Sequence, residues 1–253
     1  MVSVIMPAYN AEKTIEEAVT SVISQTEKDW ELIVIDDGSI DNTAEILTKL
    51  SREDKRIRFL KNDKNRGVCY TRNKAISLAM GEWIAFLDSD DIWYPKKLQK
   101  QLELTKKYPD MAICYTASDF INDKGEKFDY ILEAVEITDY NLLLRRNLLS
   151  CSSVMLRSSI MKNIKMPDDK LNEDYYTWLK VLGSGKIAYG INEPLITYRL
   201  SSNSRSSNRI KSAKMLFDTY RAVNFNPLSA LFLVFRYTFY SISKRHNIYK
   251  SIN

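Results

Sequence analysis

Histidine is nearly missing from this chain. His246 is the single one in 253 residues and lies near the C-terminus, which argues against imidazole acid–base chemistry. Cysteine is almost as scarce. Cys69, Cys114 and Cys151 are scattered, odd in number and without close Cys or His partners, so the pattern points to a reducing compartment and away from a disulfide framework or a zinc site. Neither GxGxxG nor GxxxxGK occurs, so a nucleotide would have to be held by side chains and metal rather than by a glycine cradle. No apolar run approaches the roughly 20 residues of a membrane-spanning helix, and Met1 leads directly into an apolar run with no leader-like segment. No repeat and no linker is visible, so the chain reads as one body.

What is present is an ordinary globular composition, 45% hydrophobic and 27% charged, in a chain long enough for one large domain or two small ones. The net charge of +5 hides an asymmetry. Residues 201–253 hold nine Lys or Arg against the single acid Asp218, a balance of +8, which leaves 28 bases and 31 acids, or −3, for the first 200 residues. A near-neutral body with a basic tail expects an anionic partner, and membrane is favoured because no RNA or DNA module is recognisable. Within the tail, Leu228, Leu231, Phe232, Phe235, Phe239 and Ile242 fall at helical spacing between Pro227 and Tyr249. That pattern fits an interfacial amphipathic helix or a last helix packed on the core.

Along the first 95 residues apolar β-branched runs alternate with helical patterns. Val2–Met6, Trp30–Ile35, Arg56–Leu60 and Trp83–Leu87 read as strands; Ala11–Gln25, the stretch after Asp41-Asn42, and Val68–Ala79 read as helices. Such alternation makes an α/β fold the expectation, with a Rossmann-like, mostly parallel central sheet flanked by helices. After a helix from Lys96 to Lys107 the pattern turns mixed. Met111–Tyr115, Ser152–Leu156, Lys186–Tyr189 and Leu195–Arg199 read as strands, Asp139–Leu149 and Tyr175–Leu182 as helices, and Asp123-Lys124-Gly125 as a hairpin turn. The expected organisation is a regular α/β half over 1–110, a mixed half over 111–205 and a basic helical tail over 206–253.

The centre of this pattern is Gly81–Pro95, where a buried strand ends in Asp88, Asp90 and Asp91. In open α/β sheets ligands collect beyond the carboxyl ends of the strands. Clustered carboxylates there call for a positive partner, and Mn²⁺ or Mg²⁺ carrying phosphate oxygens is the simplest. An acidic turn in solvent is the bland reading.

Five segments in order, VSVIMPAYNA, WELIVIDDGSIDNT, NRGVCYTRNKAI, GEWIAFLDSDDIW and NEDYYTWLKVL, resemble family 2 of the inverting glycosyltransferases with a GT-A fold, over about Val2–Ser204. The resemblance implies transfer of a sugar from a nucleoside diphosphate, expected to be UDP, to a hydroxyl of a glycan or lipid-linked acceptor in surface-polysaccharide assembly at the cytoplasmic membrane face. It implies that Pro7, Ala8 and Tyr9 line the nucleotide base, that Asp37 accepts the uracil N3 proton, and that Arg66, rather than Arg72, neutralises the diphosphate. It makes Asp88-Ser89-Asp90 the DxD motif, with Asp90 the direct metal ligand and Asp88 on the ribose or a metal-bound water. Asp174 is then the general base, with Glu173 and Trp178 on the acceptor side. Many members carry a histidine after a Tyr-Arg pair; here Tyr198-Arg199-Leu200 runs into Ser201–Ser204, and Arg199 or Arg205 is the candidate substitute on the phosphates. The rivals are a haloacid-dehalogenase-like phosphotransferase built on LDSDDI, which leaves the PAYN and DDGS turns unexplained, and a non-catalytic sugar-nucleotide-binding or membrane-docking module.

Overall fold

The computed structural model describes residues 1–161, 163–200 and 209–250, with side chains left aside for Arg209 and residues 243–250. Ser201–Ser204 and Arg205, and the side chains of Lys244 and Arg245, therefore lie outside the described residues.

The amino-terminal half forms as its alternation dictates. In order come β1 (Val2–Ala8), α1 (Ile15–Ile23), β2 (Trp30–Asp36), α2 (Thr43–Glu53), β3 (Ile57–Lys61), α3 (Val68–Ser77) and β4 (Trp83–Phe86). These strands pair in parallel in the order β3-β2-β1-β4. Successive residues of one strand serve opposite faces. Val2, Val4 and Met6 join Leu32, Val34, Ala85 and Leu87 in a core that takes in Ile15 of α1 and Leu47 of α2. Ile5, Ile33, Ile35, Ile84 and Phe86 face the other core. Two-sided burial is why these strands read as continuous apolar runs.

The second half continues the same sheet. β5 (Ile92–Trp93), α4 (Lys97–Lys107), β6 (Ile113–Asn122), β7 (Lys127–Leu132), β8 (Ile137–Thr138) and α5 (Tyr140–Arg145) are followed by a 3-10 turn (Cys151–Ser153), β9 (Met155–Arg157) and α6 (Ser158–Met161). Then come α7 (Glu173–Gly183), β10 (Ala188–Leu200), α8 (Arg209–Ala222) and α9 (Pro227–Lys250). The path runs β3-β2-β1-β4-β9-β6-β10-β5, with β7 on β6 and β8 on β10. The expected, mostly parallel sheet is present with antiparallel additions: β9 enters antiparallel between β4 and β6, parallel pairing resumes between β6 and β10, and the short β5, β7 and β8 add antiparallel, so the sheet is mixed.

Two local expectations also change. The segment from Ser152 begins as a tight turn because the Ser152 hydroxyl is committed elsewhere, as described below, and the strand starts only at Met155. The two expected closing strands are one, β10, with register shifts at Ile191/Pro194 and Pro194/Ile196. Pro194 lacks the N–H a regular ladder needs, so the break in pattern marks a bulge rather than an end.

Candidate active site

Beyond the carboxyl ends of β1 and β2, two loops lock together. Asn10 N–H donates to Ser39 Oγ (2.9 Å), Ala11 N–H to Thr43 Oγ1 (2.8 Å) and Glu12 N–H to Asp41 Oδ2 (3.1 Å), while Asn10 Oδ1 accepts from Ile40 N–H (3.0 Å). On this platform Tyr9 stands 47% exposed, Pro7 is half-buried, and Ala8 is buried in the last pair of the β1–β2 ladder. The aromatic face is open to stacking.

Asp37 is buried, and its carboxylate accepts from Asn62 Nδ2 (2.7 Å), Arg66 N–H (2.9 Å) and Gly67 N–H (2.8 Å). Its evident work is to hold the 62–67 turn. Gly67 sits at φ +89°, where a Cβ would also overlap the carboxylate of Asp169, so no side chain fits this corner. Asp169 Oδ1 in turn accepts from Cys69 N–H (3.0 Å), and Asn73 exchanges two hydrogen bonds with the Met166 backbone (2.9 and 3.0 Å). α3 is thereby fastened to the loop that leads into α7.

The two candidate arginines are placed very differently. Arg66 is exposed, its guanidinium 4.6 Å from the Tyr70 ring centroid. Arg72, from inside α3, is 4% exposed and forks between Asp88 and Glu173, Nη1 donating to Glu173 Oε1 at 2.8 Å and Nη2 to Asp88 Oδ1. Helical spacing concealed this, because its partners lie 101 and 16 residues away along the chain. Burial alone would lower its pKa, but Asp88, Cys151, Glu173 and Asp174 outweigh that and hold it protonated.

The acidic turn is built from below. Asp91 is buried; Oδ2 accepts from Ser152 Oγ (2.6 Å) and Oδ1 from Arg199 N–H (3.0 Å). Ser152 Oγ also accepts from Asp88 N–H (3.1 Å), and Trp93 Nε1 donates to the Ser152 carbonyl (2.9 Å). Arg199 Nε donates to the Asp90 carbonyl (2.9 Å), and its Nη2 meets Glu17 Oε2 (2.7 Å). Asp91 is thus the anchor, whereas Asp88 and Asp90 are half-buried at the surface of the turn. Ser152 and Arg199 escaped the sequence reading as supports because their partners lie 61 and 109 residues away.

The electrostatics follow from this crowding. Burial, then the charge of Asp88, pushes Asp90 up to about 6; burial, then Asp90 and Asp88, raises Asp91 well above the usual carboxylate range. Burial, then Glu173, pushes Asp174 up to about 6, with Arg72 opposing. Tyr198, beside Arg199, is kept protonated by burial first and then by the charges of Asp91, Asp88, Asp90 and Asp174. A site this negative fits a hard divalent cation. Among the described residues no group of three or more acidic, His or Cys side chains is placed to hold a metal ion unaided, so an ion bound here would need ligands from outside the chain.

Glu173 and Asp174 open α7, where carboxylates suit the helix dipole. Asp174 is half-buried, and its Oδ1 accepts from Tyr175 N–H (2.6 Å). Trp178 does not line the cleft: it is 0% exposed and packs edge-on against Phe86 at 5.8 Å, as the core residue its helical spacing with Leu179 and Leu182 also allows. Glu173 is taken up by Arg72. The acidic turn, the arginine and the acidic pair therefore meet in one place, drawn from α3, the turn after β4 and α7.

The sequence profile of Glycosyl transferase family 2 matches residues 3–162. TuaG of Bacillus subtilis, named as a glycosyltransferase of teichuronic acid biosynthesis, is 40% identical over 88% of this chain and 88% of its own. WfgD of Escherichia coli, a UDP-Glc:alpha-D-GlcNAc-diphosphoundecaprenol beta-1,3-glucosyltransferase, is 37% identical over 99% of this chain and 97% of its own. Among solved structures, the mannosyltransferase PcManGT of Pyrobaculum calidifontis, in complex with GDP-Man and Mn2+, superposes with a TM-score of 0.71 at 18% identity, covering 92% of this chain and 69% of that one. That likeness concerns the fold, which is GT-A.

Proposed function

The chain belongs to glycosyl transferase family 2, and from that premise we propose that it moves a sugar from a UDP-sugar, with inversion, to a hydroxyl of a lipid-linked glycan at the cytoplasmic face of the membrane. It is a glycosyltransferase of surface-polysaccharide or lipid-linked glycan synthesis. The observation that carries the finer reading is the Arg72 fork, which ties the DxD turn to the acidic pair of α7 across one cleft. In this reading Asp174 takes the proton of the acceptor hydroxyl as its oxygen attacks the anomeric carbon from the face opposite the diphosphate. The glycosidic C–O bond breaks with its electron pair passing to the β-phosphate. Tyr9 stacks on the base, and Asp37 fixes the turn that faces it. Asp90 and Asp88 would hold a divalent ion, whose chemistry is to neutralise the leaving diphosphate. The UDP of WfgD's name and the Mn2+ of PcManGT support the donor and the metal; the diphosphoundecaprenol in WfgD's name supports the acceptor class.

Screening nucleotide sugars for Mn²⁺-dependent hydrolysis and for thermal stabilisation tests this directly. A UDP-sugar should do both, and stabilisation by none, with or without Mn²⁺, would discard the reading. Arg199 gives a narrower test. Its guanidinium is engaged by the Asp90 carbonyl and Glu17, so it acts on phosphates only through the turn it holds. Arg199→Ala should raise the donor KM and the Mn²⁺ concentration for half-maximal rate about tenfold, the loss of one charge-assisted hydrogen bond. An unchanged KM would detach Arg199 from the donor site.

A further inference from the structure

α9 has two unlike faces. Ala230, Leu233 and Val234 are buried against the core, and Tyr237 packs on Tyr175 with centroids 5.7 Å apart, within electrostatic reach of Asp174. The opposite face has no cover among the described residues. Leu228, Leu231, Phe232, Phe235, Phe239 and Ile242 are between 56% and 81% exposed. Their spacing of three and four residues sets them in one stripe about 21 Å long at 1.5 Å per residue. A contiguous apolar surface of this kind marks an interaction site. At its rim the Arg236 guanidinium lies 5.9 Å from the Phe232 ring, and its buried Nε has no hydrogen-bond partner.

The occupant follows from charge. Residues 201–253 carry nine basic side chains and one acid. A second copy seated on the stripe would bring two such segments together, whereas an anionic bilayer supplies an apolar layer under a negative surface. No helix among the described residues is long and apolar enough to cross a membrane. We propose that α9 lies in the plane of an anionic phospholipid surface, its six exposed apolar side chains in the acyl boundary and Arg236 among the headgroups. This deepens the lipid-linked-acceptor reading, on which its purpose rests. Docking through the outer face leaves Tyr237, and Tyr175 on which it packs, about one helix diameter (10 Å) above the surface, with Asp174 next to Tyr175 in the chain, within reach of a sugar carried on a lipid diphosphate.

The test uses the full chain and sucrose-loaded vesicles of phosphatidylglycerol with phosphatidylcholine, or of phosphatidylcholine alone. The unmodified protein should pellet with the anionic vesicles, and Phe235→Ser/Phe239→Ser should lower the partition constant about a hundredfold, near tenfold for each side chain removed from the boundary. Arg236→Gln should weaken binding several-fold and flatten its salt dependence. Both phenylalanines are about three-quarters exposed, so the double variant should melt with the parent; Leu231→Ser gives a second, independent probe of the stripe. Pelleting of the double variant like the parent, failure of the parent to pellet with anionic vesicles, or a self-association in sedimentation velocity that the double substitution abolishes would each overturn the proposal. Mn²⁺-dependent hydrolysis of a UDP-sugar without vesicles reports on the donor site alone, so a failure here is separable from a failure of the glycosyltransferase reading.

Discussion

Asp174→Asn should lower kcat/KM for glycosyl transfer about a thousandfold, the scale of a lost general base, while UDP-sugar binding stays intact. Asparagine keeps the shape and the hydrogen bond that Tyr175 N–H donates to Oδ1 (2.6 Å), but it cannot accept a proton. The parent carries a second signature. With Asp174 at about 6, the base is ionised above that pH, so kcat/KM should rise tenfold per unit below it and level off near neutrality. Stability runs the other way. A carboxyl raised by burial holds its proton in the folded chain between about 4 and about 6 while the unfolded chain has lost it, so its contribution is present at low pH and disappears as pH climbs through 6. The asparagine variant is spared that burial of charge and should unfold no earlier than the parent at pH 7.5. Thermal melts beside a radiolabelled transfer assay separate the two; transfer at parental rates would remove Asp174 from the chemistry.

Arg72→Met should damage both stability and function. The guanidinium is 4% exposed and sits between the Glu173 and Asp88 carboxylates, whose side chains are 11% and 29% exposed. Methionine fills much of the volume and leaves both acids without this counter-charge, beside Asp174 and Asp90. Removing one partner of a buried pair costs roughly 3–5 kcal/mol. Asp88 keeps some solvent, so a loss of about 3 kcal/mol is expected, near 10 °C in Tm for a chain of this size. Transfer should fall at least about a hundredfold, because the turn and the α7 acids lose the strut that sets their separation. Arg72→Lys should recover part of the stability and little of the rate, since one ammonium cannot fork to two carboxylates. Arg66→Ala, at an exposed side chain, should leave the melting temperature within about 1 °C. A melting temperature for Arg72→Met equal to the parent's would refute the strut.

The two arginines show where sequence reasoning works and where it stops. In the sequence Arg66 is the better candidate because it lies in a loop rather than inside a helix, and loops usually carry function. The fold gives the bridging position instead to Arg72. Trp178 is a similar case, since its helical partners Leu179 and Leu182 pointed to the core, and the core is where it lies. Asp91 stands in the sequence as one of three strand-end carboxylates, and the fold makes it the buried foot of the turn.

Read alone, the sequence determined the strand and helix order of the first half, the acidic turn at a strand end, and the α7 acids as a candidate base. Periodicity, strand-end carboxylates and capping preferences act over a few residues, so they are written locally. Tertiary structure decided which arginine bridges the cleft, that Ser152 and Arg199 brace the turn, that β9 makes the sheet mixed, and which face of α9 is left bare. Each of these depends on contacts between residues tens to more than a hundred positions apart, and only the packing of the folded chain chooses among the partners the sequence allows.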